Sequence, residues 1–338
     1  MSYKLQSYDF VGKTVLVRID CDVDLRQENN QLVVDEPFRL TQVIPTLKFL
    51  EKAGAEKIIM IGHLGRPGGQ PDKKLSLTPV ANWFTQNYKN CQLIVNHQSS
   101  IINHFSLLEN LRFHSGERDN HPEFVQQLVN LADVYVNEAF GSSHRDHASI
   151  TGTPKHLPSF LGLNFEEEVA NLTKIKNDPK RPLVIALGGS KKGKMDYIPS
   201  LAEMADTLLV GGKLPTQRDL VDGQWPNIKW AELKDNGRDL SEGDIENFKT
   251  ALHQAESIFM VGPLGVYEEE ENRKGTAEIA QTIAEMPVFK LAAGGDTHRV
   301  LSWLNMWDEF DFVSTGGGAA LQFLRDETLP GIEVISNS

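Results

Sequence analysis

The chain has little cysteine and no excess of positive charge, and both absences narrow the range of possible functions. Cys21 and Cys91 are the only cysteines among 338 residues, and neither belongs to a Cys-x-x-Cys pair. A disulfide framework and a cysteine-rich zinc site are therefore excluded, which fits a reducing cytoplasm. The formal net charge is −12, and this disfavours nucleic acid as a partner because binding to a phosphate backbone requires excess Lys and Arg.

Long apolar runs are absent as well. The first residues, Met1 to Gln6, lack the apolar stretch of a secretory signal, and no run approaches membrane-spanning length. A hydrophobic content of 40% and a charged content of 24% are ordinary for globular proteins, and 338 residues suffice for two domains. We therefore expect a cytoplasmic protein that does not bind membranes.

Short apolar runs alternate along the chain with segments of helical spacing, which is typical of an α/β fold with parallel sheets. The predicted strands cover residues 13–19, the region of Ile58, 93–95, 182–187, 207–210, 257–261, 288–291 and 312–314, and the predicted helices cover 38–53, 77–88, 122–131 and 164–176. The rhythm changes near Pro158, where the charged helix 164–176 has no strong strand beside it. We expect two α/β domains joined by this connecting helix.

Three apolar runs in the first half of the chain are each followed by a basic cluster. Arg66 follows the run at Lys57–Ile61, Arg112 follows Ser106–Leu108, and Arg145 follows Asp133–Asn137. Ligands of open α/β sheets bind beyond the carboxyl ends of the strands. Guanidinium groups match phosphate and carboxylate oxygens, so the pattern predicts a small, multiply charged anion. The alternative is that these arginines cap helices or pair with surface acids, but three in succession favour the anion site.

The second half carries glycine where the first half carries arginine. Each apolar run there ends in glycines, namely Gly188-Gly189, Gly211-Gly212, Gly262, Gly294-Gly295 and Gly316-Gly317-Gly318. Glycine lets the backbone approach a phosphate, and a following helix N-terminus offers N–H groups, although a tight strand-to-helix turn explains any single pair. Asp296 adds an oxygen ligand of the kind that magnesium shares with phosphates. The set predicts a nucleotide-phosphate site.

Two weaker patterns have competing interpretations. Gly188 to Lys194 satisfies G-x-x-x-x-G-K, but Met195 follows and cannot supply the hydroxyl that ligates magnesium in a P-loop. A P-loop NTPase is therefore disfavoured. His144 and His147 have a spacing that suits a metal, but no cysteine or carboxylate motif accompanies them, so contact with an anion is the better interpretation.

Taken in order, these motifs closely resemble the phosphoglycerate kinase family nearly from end to end. The resemblance rests on Val15–Asp20, Gly62–Pro67, Glu109–Phe113, Asn137–Gly141, His144–Ser149, Gly188–Lys191, Gly262–Glu268, Gly294–Thr297, Ser314–Ala319 and Leu329–Glu333. It implies two Rossmann-like three-layer domains, joined by a connecting helix across a cleft. The implied divisions are residues 1–163 for phosphoglycerate, 164–180 for the helix, 181–325 for nucleotide, and 326–338 for a tail that packs back on the first domain.

The resemblance also implies a reaction and a set of site residues. The reaction is reversible transfer of a phosphoryl group between 1,3-bisphosphoglycerate and ADP, with Mg²⁺, giving 3-phosphoglycerate and ATP in a monomer. Arg39 and Lys191 match catalytic positions, and both would meet the transferred phosphoryl group only when the cleft closes. The implied substrate-binding residues are Asp20, Asp22, Arg39, His63, Leu64, Gly65, Arg66, Arg112 and Arg145. The implied nucleotide-binding residues are Lys191, Lys194, Gly212, Glu268, Gly294, Gly295, Asp296, Thr297 and Gly317, with Asp296 also on the metal.

The chain departs from the family pattern at several positions. Asp22 stands where the family has Asn, Val261 stands where it has another Asn, and Lys192-Gly193-Lys194 replaces the usual loop. The segment between Gly212 and Gly262, which builds part of the family's adenine pocket, is several tens of residues shorter. Two hypotheses follow. One is a working, minimised phosphoglycerate kinase, and the other is a non-catalytic homologue that binds a phosphorylated small molecule or a protein partner with impaired nucleotide binding.

Overall fold

The computed structural model describes residues 4–95 and 103–336, and the chain divides into two compact units. The first unit contains the residues up to Glu168 together with those from Thr328 onward, and the second runs from Val169 to Glu327. None of the helices in these described ranges combines the length and the apolar character that a membrane-spanning segment requires.

A six-stranded parallel sheet forms the centre of the first unit. Its strands are β1 (Thr14–Arg18), β4 (Lys57–Ile61), β5 (Gln92–Ile94), β6 (Phe105–Leu108), β7 (Val134–Asn137) and β8 (Ser159–Leu161), while β2 (Leu25–Glu28) and β3 (Gln31–Val34) form a separate antiparallel hairpin. The order in the sheet is β5-β6-β4-β1-β7-β8. The strands β4 and β7 therefore flank β1 directly.

Helices cover both faces of this sheet. They are α1 (Phe38–Lys52), α2 (Thr78–Asn87), α3 (Ser115–Arg118), α4 (Pro122–Val129), the first part of α5 (Leu163–Asn177) and α11 (Pro330–Ser336). Because side chains alternate along a strand, Val15 and Val17 of β1 pack in the cluster that contains residues of α1 and α2. Leu16 packs in the opposite cluster, with residues of α4 and with Ile335 of α11. The unit is thus a three-layer domain.

The start of α5 is held by a buried carboxylate. Glu138, directly after β7, accepts hydrogen bonds from the backbone amides of Asn164 at 3.1 Å and Phe165 at 3.0 Å, and from the hydroxyl of Thr46 at 2.5 Å. The Glu138 carboxylate thereby supplies acceptors for the first helical N–H groups, which have no acceptor within the helix. Burial raises the pKa of Glu138 to about 8, although the three donors act in the opposite direction.

The second unit repeats the three-layer plan around another six-stranded parallel sheet. Its strands are β9 (Leu183–Leu187), β10 (Thr207–Val210), β11 (Ile228–Trp230), β12 (Ser257–Val261), β13 (Phe289–Ala293) and β14 (Phe312–Ser314), in the order β11-β10-β9-β12-β13-β14. Its helices are α6 (Ile198–Met204), α7 (Glu242–Leu252), α8 (Lys274–Glu285), α9 (Gly295–Leu304) and α10 (Gly317–Asp326).

The predicted α/β class with parallel sheets is confirmed, and the predicted strands and helices lie within a few residues of the observed ones. Sequence patterns missed the β2–β3 hairpin, the short edge strands β8 and β11, and the helices of the second unit. In the first unit the C-terminal segment contacts the loop after β7, where the amide of Gly331 donates to the carbonyl of Ser143 at 2.9 Å.

Candidate active site

The three basic clusters lie at one edge of the first sheet. Arg66 is in the loop after β4, Arg112 is in a short 3-10 helix after β6, and Arg145 follows β7. These strands are parallel to one another and lie on either side of β1. Their carboxyl ends therefore meet at the same edge, as the sequence analysis expected.

His63 lies at the centre of this edge, between two guanidinium groups. The ring is 1% exposed. Arg18 donates from Nη2 to His63 Nδ1 at 2.7 Å, and Nη1 of Arg145 lies 3.5 Å from His63 Nε2. Arg112 is also buried and donates from Nη1 to the carbonyl of Gly65 at 2.7 Å. Several positive groups are thus concentrated away from bulk water.

The electrostatics of this cluster favour an anionic ligand. Burial, followed by the nearby Arg145 and Arg18, lowers the pKa of Arg112 to about 10. Burial and the same guanidinium groups hold the pKa of His63 well below its ordinary value. Buried like charges disfavour one another, and an anion placed among them relieves that cost. The cluster is therefore suited to a phosphate or carboxylate.

Unpartnered buried atoms surround the same edge. Among the described residues, Asp20 Oδ2 and Arg112 Nε are buried without a hydrogen-bond partner, while the other oxygen of Asp20 accepts from the hydroxyl of Ser142 at 2.6 Å. Buried polar atoms are normally satisfied, so these atoms indicate a bound polar ligand. A carboxylate can only accept, so the group opposite Asp20 must be a donor such as a hydroxyl.

The remaining predicted substrate residues have different surroundings. The Asp22 carboxylate accepts from the amide of Gly65 at 2.8 Å, and Arg39 donates to the backbone carbonyl of Asp22. Leu64 is buried, and its carbonyl accepts from the side-chain amide of Asn110. Arg66 is exposed and has no hydrogen-bond or ion-pair partner among the described residues. Arg66 therefore remains available to a ligand.

The glycine pairs of the second unit also meet at one sheet edge, because β9, β10, β12, β13 and β14 are parallel members of the same sheet. The backbone loops approach closely there. Gly212 has a φ of +62°, and a Cβ added to it would lie 2.6 Å from the amide nitrogen of Gly189. Gly294 has a φ of +105° and directly precedes α9. Side chains are excluded at both points, which leaves backbone amides to line the edge.

The two predicted lysines differ in their surroundings. Lys191 is exposed, directly before a short 3-10 helix. Lys194 is only partly exposed as a residue, and its ammonium group donates to the carbonyl of Gly188 at 2.6 Å and to that of Val261 at 3.3 Å. Burial lowers the pKa of Lys194 to about 8. Lys194 therefore joins the ends of β9 and β12, which the sequence did not indicate.

The loop from Gly294 to Thr297 begins α9. Asp296 is half-exposed in the first turn, with its Oδ1 3.5 Å from Nη1 of Arg299. The buried hydroxyl of Thr297 accepts from the amide of Gly262 at 2.8 Å and donates to the carbonyl of Ala293 at 2.7 Å. The Thr297 side chain thus links two loops, and only its backbone amide is placed to meet a phosphate at the helix start.

The remaining residues that were predicted to bind nucleotide or metal lie in the loops of the second unit. Glu268 is exposed in the segment after Pro263, and Gly317 opens α10 beside Gly294. No group of three His, Cys, Asp or Glu side chains suited to a metal occurs within the described residues. A single half-exposed carboxylate such as Asp296 fits Mg²⁺, which commonly keeps waters and takes one or two carboxylates plus substrate phosphates.

Sequence reasoning did not place Arg18, Ser142 and Glu117 among the catalytic or binding residues. Arg18 is fully buried, and Glu117 is fully buried behind it, where it accepts from the amide and hydroxyl of Ser149 at 3.1 and 2.7 Å. The available signal for Arg18 was a lone charge within the apolar run Val15–Ile19. Such a residue is costly to bury unless it is paired, and it marks a functional or organising site.

Comparisons with known proteins agree with this geometry. The family model described as phosphoglycerate kinase matches residues 5–217 and 223–327. The chain belongs to the phosphoglycerate kinase family. It is 33% identical to a phosphoglycerate kinase of Coprothermobacter proteolyticus, covering 95% of each chain, and 33% identical to one of Aquifex aeolicus, covering 96% of each. These relatives carry the name of the kinase, and nothing among them favours a non-catalytic homologue.

Solved structures show the same similarity. The structure of phosphoglycerate kinase from Coxiella burnetii is 26% identical and matches with a TM-score of 0.79 over 98% of both chains. The enzyme from Pyrococcus horikoshii, at 23% identity, shares the fold with a TM-score of 0.84 over 99% of this chain and 98% of that one. The two-domain α/β fold is therefore that of the family.

The comparisons also show that this chain lacks residues that a relative has. The alignment with the Coprothermobacter relative runs over 380 positions, more than the 338 residues of this chain, so the alignment must contain gaps in this chain. The match to the family model is interrupted at residues 218–222. The unmatched residues lie within the Gly212–Gly262 segment, and the shortening of that segment stays a prediction.

Proposed function

We propose that this chain is a working phosphoglycerate kinase, a phosphotransferase with a carboxyl group as acceptor. It transfers a phosphoryl group reversibly between 1,3-bisphosphoglycerate and ADP, giving 3-phosphoglycerate and ATP in glycolysis. The observation that carries the proposal is the buried basic cluster around His63, which has both an unpartnered donor and an unpartnered acceptor beside it. A small anion that also bears a hydroxyl satisfies both sets of atoms, and 3-phosphoglycerate is such a molecule.

In this proposal the first unit holds the phosphoglycerate. The exposed Arg66, with Arg112 and Arg145, binds the negatively charged groups, because guanidinium pairs with phosphate and carboxylate oxygens. Asp20 accepts the substrate hydroxyl through its unpartnered oxygen. Gly65 and Leu64 shape the loop that presents Arg66, and Asp22 holds that loop through the amide of Gly65.

The second unit holds the nucleotide through its phosphates. The amides of Gly212, Gly294, Gly295 and Gly317 line the strand edge, and the start of α9 adds partial positive charge. Lys191 contacts the phosphates, Lys194 supports the loops and directs its remaining N–H toward them, and Glu268 contacts the ribose. Asp296 holds Mg²⁺ together with the phosphates, where the ion neutralises their negative charge.

The chain's own residues can perform the transfer without a covalent intermediate. Phosphoryl transfer depends on alignment of the acceptor carboxylate and on neutralisation of the moving group. Arg39 of the first unit and Lys191 of the second supply that positive charge in our proposal. A hinge-bending closure on the two substrates brings these groups to the phosphoryl group and excludes water, which would otherwise hydrolyse the acyl phosphate.

The setting of the reaction is also proposed. An acidic chain with two buried cysteines suits a reducing cytoplasm. The substrates are small molecules, and we propose that the protein acts as a monomer, without nucleic acid or membrane partners.

The proposal is tested by chemical trapping of its product. The full chain is incubated with 3-phosphoglycerate and Mg-ATP in hydroxylamine, which converts an acyl phosphate to a hydroxamate. We expect hydroxamate formation that requires both substrates and is lost in the Lys191→Met variant. Binding of 3-phosphoglycerate without any hydroxamate would instead favour a non-catalytic homologue.

A further inference from the structure

Arg18 is buried in the strand beneath the anion site, although it is a charged residue. It is the last residue of β1, and its side chain is 0% exposed. Its three polar nitrogens all bond within the protein, with Nε donating to the hydroxyl of Ser149 at 2.9 Å, Nη1 to the carbonyl of Ile19, and Nη2 to His63 Nδ1 at 2.7 Å. Because the side chain has no exposed surface, Arg18 is not placed to contact a ligand.

A second layer of hydrogen bonds fixes this guanidinium. The hydroxyl of Ser149 accepts from Arg18 and donates to Glu117 Oε1 at 2.7 Å, and the amide of Ser149 donates to Glu117 Oε2 at 3.1 Å. The hydroxyl of Tyr135 donates to the carbonyl of Ser149 at 2.7 Å. Burial raises the pKa of the Glu117 carboxyl, although Arg18 favours its ionised form. The orientation of Arg18 is thus determined by the core rather than by solvent.

The contact between Arg18 and His63 determines which nitrogen of the imidazole carries the proton. Arginine has only donors, so His63 Nδ1 must accept and must be unprotonated. Burial and the guanidinium groups of Arg18, Arg112 and Arg145 hold the pKa of His63 well below its ordinary value, so the ring is neutral. The single proton of a neutral ring that accepts at Nδ1 lies on Nε2.

The second ring nitrogen then faces another donor. Arg145 Nη1 lies 3.5 Å from His63 Nε2. When both nitrogens carry a hydrogen, both are donors, and they cannot hydrogen-bond to each other. Two adjacent donors without a mutual bond are arranged for a shared acceptor. The alternative tautomer would place N–H against N–H at the 2.7 Å contact between Arg18 and Nδ1, which is far less favourable than the 3.5 Å contact.

We infer that Arg18 is a positioning residue that fixes His63 as the Nε2–H tautomer, so that His63 and Arg145 together donate to one anionic oxygen of the ligand. The identity of that ligand as 3-phosphoglycerate rests on the proposed function, whereas the tautomer does not. Loss of Arg18 should therefore change the imidazole itself before any substrate is added.

Nitrogen NMR of the ligand-free full chain, labelled with ¹⁵N-histidine, tests the tautomer. The chain has ten histidines, and the signal that disappears in His63→Gln identifies His63. We expect an unprotonated Nδ1 and a protonated Nε2 in the wild type. Arg145→Met is the matched control, because it removes a guanidinium group that lies beside Nε2 instead of Nδ1. This variant should keep the wild-type tautomer. Arg18→Met should lose it. A protonated Nδ1 in the wild type, or an unchanged tautomer in Arg18→Met, would overturn the inference.

Two substitutions of His63 provide a second test that does not require Arg18→Met to fold. Glutamine places its amide donor near the position of Nε2, and asparagine places it near Nδ1. Calorimetry should show that His63→Gln binds 3-phosphoglycerate at least about tenfold more tightly than His63→Asn, roughly 1.4 kcal/mol. Equal affinities would contradict the inferred donor. If the wild type failed to bind 3-phosphoglycerate at all, the proposed function would fail, and the NMR result would still decide the tautomer.

Discussion

The carboxylate of Asp22 accepts a hydrogen bond from the backbone amide of Gly65 at 2.8 Å. This contact explains how a negative charge is retained beside an anion site. By the resemblance, Asp22 stands where the family pattern has asparagine, and both side chains offer an oxygen acceptor to the loop that carries Arg66. The charge of Asp22 disfavours an anion, whereas its hydrogen bond organises the loop that binds one.

The two effects of Asp22 can be separated by substitution. Asp22→Asn keeps the acceptor and removes the charge, so we expect it to bind 3-phosphoglycerate more tightly than the wild type. Asp22→Ala removes both, and we expect weaker binding than in Asp22→Asn by about 1 kcal/mol, the usual net contribution of one hydrogen bond. Calorimetric titration checks the order. Weaker binding by Asp22→Asn than by the wild type would show that the charge itself organises the site.

Arg66 should contribute directly to substrate affinity. Its side chain is exposed at the sheet edge without a protein partner among the described residues. Arg66→Ala should therefore weaken 3-phosphoglycerate binding by roughly 1.5–3 kcal/mol, the range for charge-assisted hydrogen bonds. Arg26→Ala is the matched control, because Arg26 is an exposed arginine of the β2–β3 hairpin that pairs with Glu28 and Asp35. Equal affinities of the two variants would refute this role of Arg66.

The buried ammonium of Lys194 predicts a dependence of stability on pH. Its folded-state pKa is about 8, against an ordinary value of 10.5. Between these values the unfolded chain holds more protons, so Lys194 makes the free energy of unfolding rise with pH, by at most roughly 1.4 kcal/mol per pH unit. Below the folded-state pKa both states are protonated, and the contribution is constant.

Chemical denaturation at pH 7.5 and 9.5 measures this contribution. The stability gained by the wild type between the two pH values should exceed that gained by Lys194→Met, because methionine does not titrate. Lys192→Met removes an exposed lysine of the same loop and should behave like the wild type. Identical pH dependence in all three proteins would show that the ammonium is not buried in solution.

Nucleotide should be held mainly by its phosphates. The Gly212–Gly262 segment contains a short 3-10 helix at Leu214–Leu220, the three-residue strand β11, the helix α7 and the strand β12. A short segment buries less apolar surface over the base, and each Å² that is not buried forgoes about 25 cal/mol of binding free energy. Changing adenine to guanine should therefore alter affinity by about tenfold or less, roughly 1.4 kcal/mol. Titrations of ADP, GDP and pyrophosphate with Mg²⁺ check this. Tight ADP binding with strong rejection of GDP would show that another segment encloses the base.

Much of the fold could be predicted because buried parallel strands are nearly continuous apolar runs. The β2–β3 hairpin was missed because β2 is largely exposed and β3 is only partly buried, although Asn29 and Asn30, with φ of 47° and 63°, carried a turn signal. The strand β11 has three residues at a sheet edge, which is too short for a periodic pattern.

The candidate site was predictable in position but not in its internal contacts. Strand-end arginines and glycines indicated the two edges, because the carboxyl ends of parallel strands meet. The bonds from Lys194 to backbone carbonyls and the role of Thr297 between loops depend on distances that no local pattern specifies. Arg18 was visible only as a charge in an apolar run, and its pairing with Ser149 joins residues 131 positions apart.

The most direct test of the central claim is the rate of phosphoryl transfer in a coupled assay, in which NADH reduces the acyl phosphate formed from 3-phosphoglycerate and Mg-ATP. We expect turnover by the wild type and by Lys192→Met, and a loss of kcat in Lys191→Met of at least about a hundredfold, roughly 2.7 kcal/mol. No turnover by the wild type, or equal kcat in the two lysine variants, would contradict it.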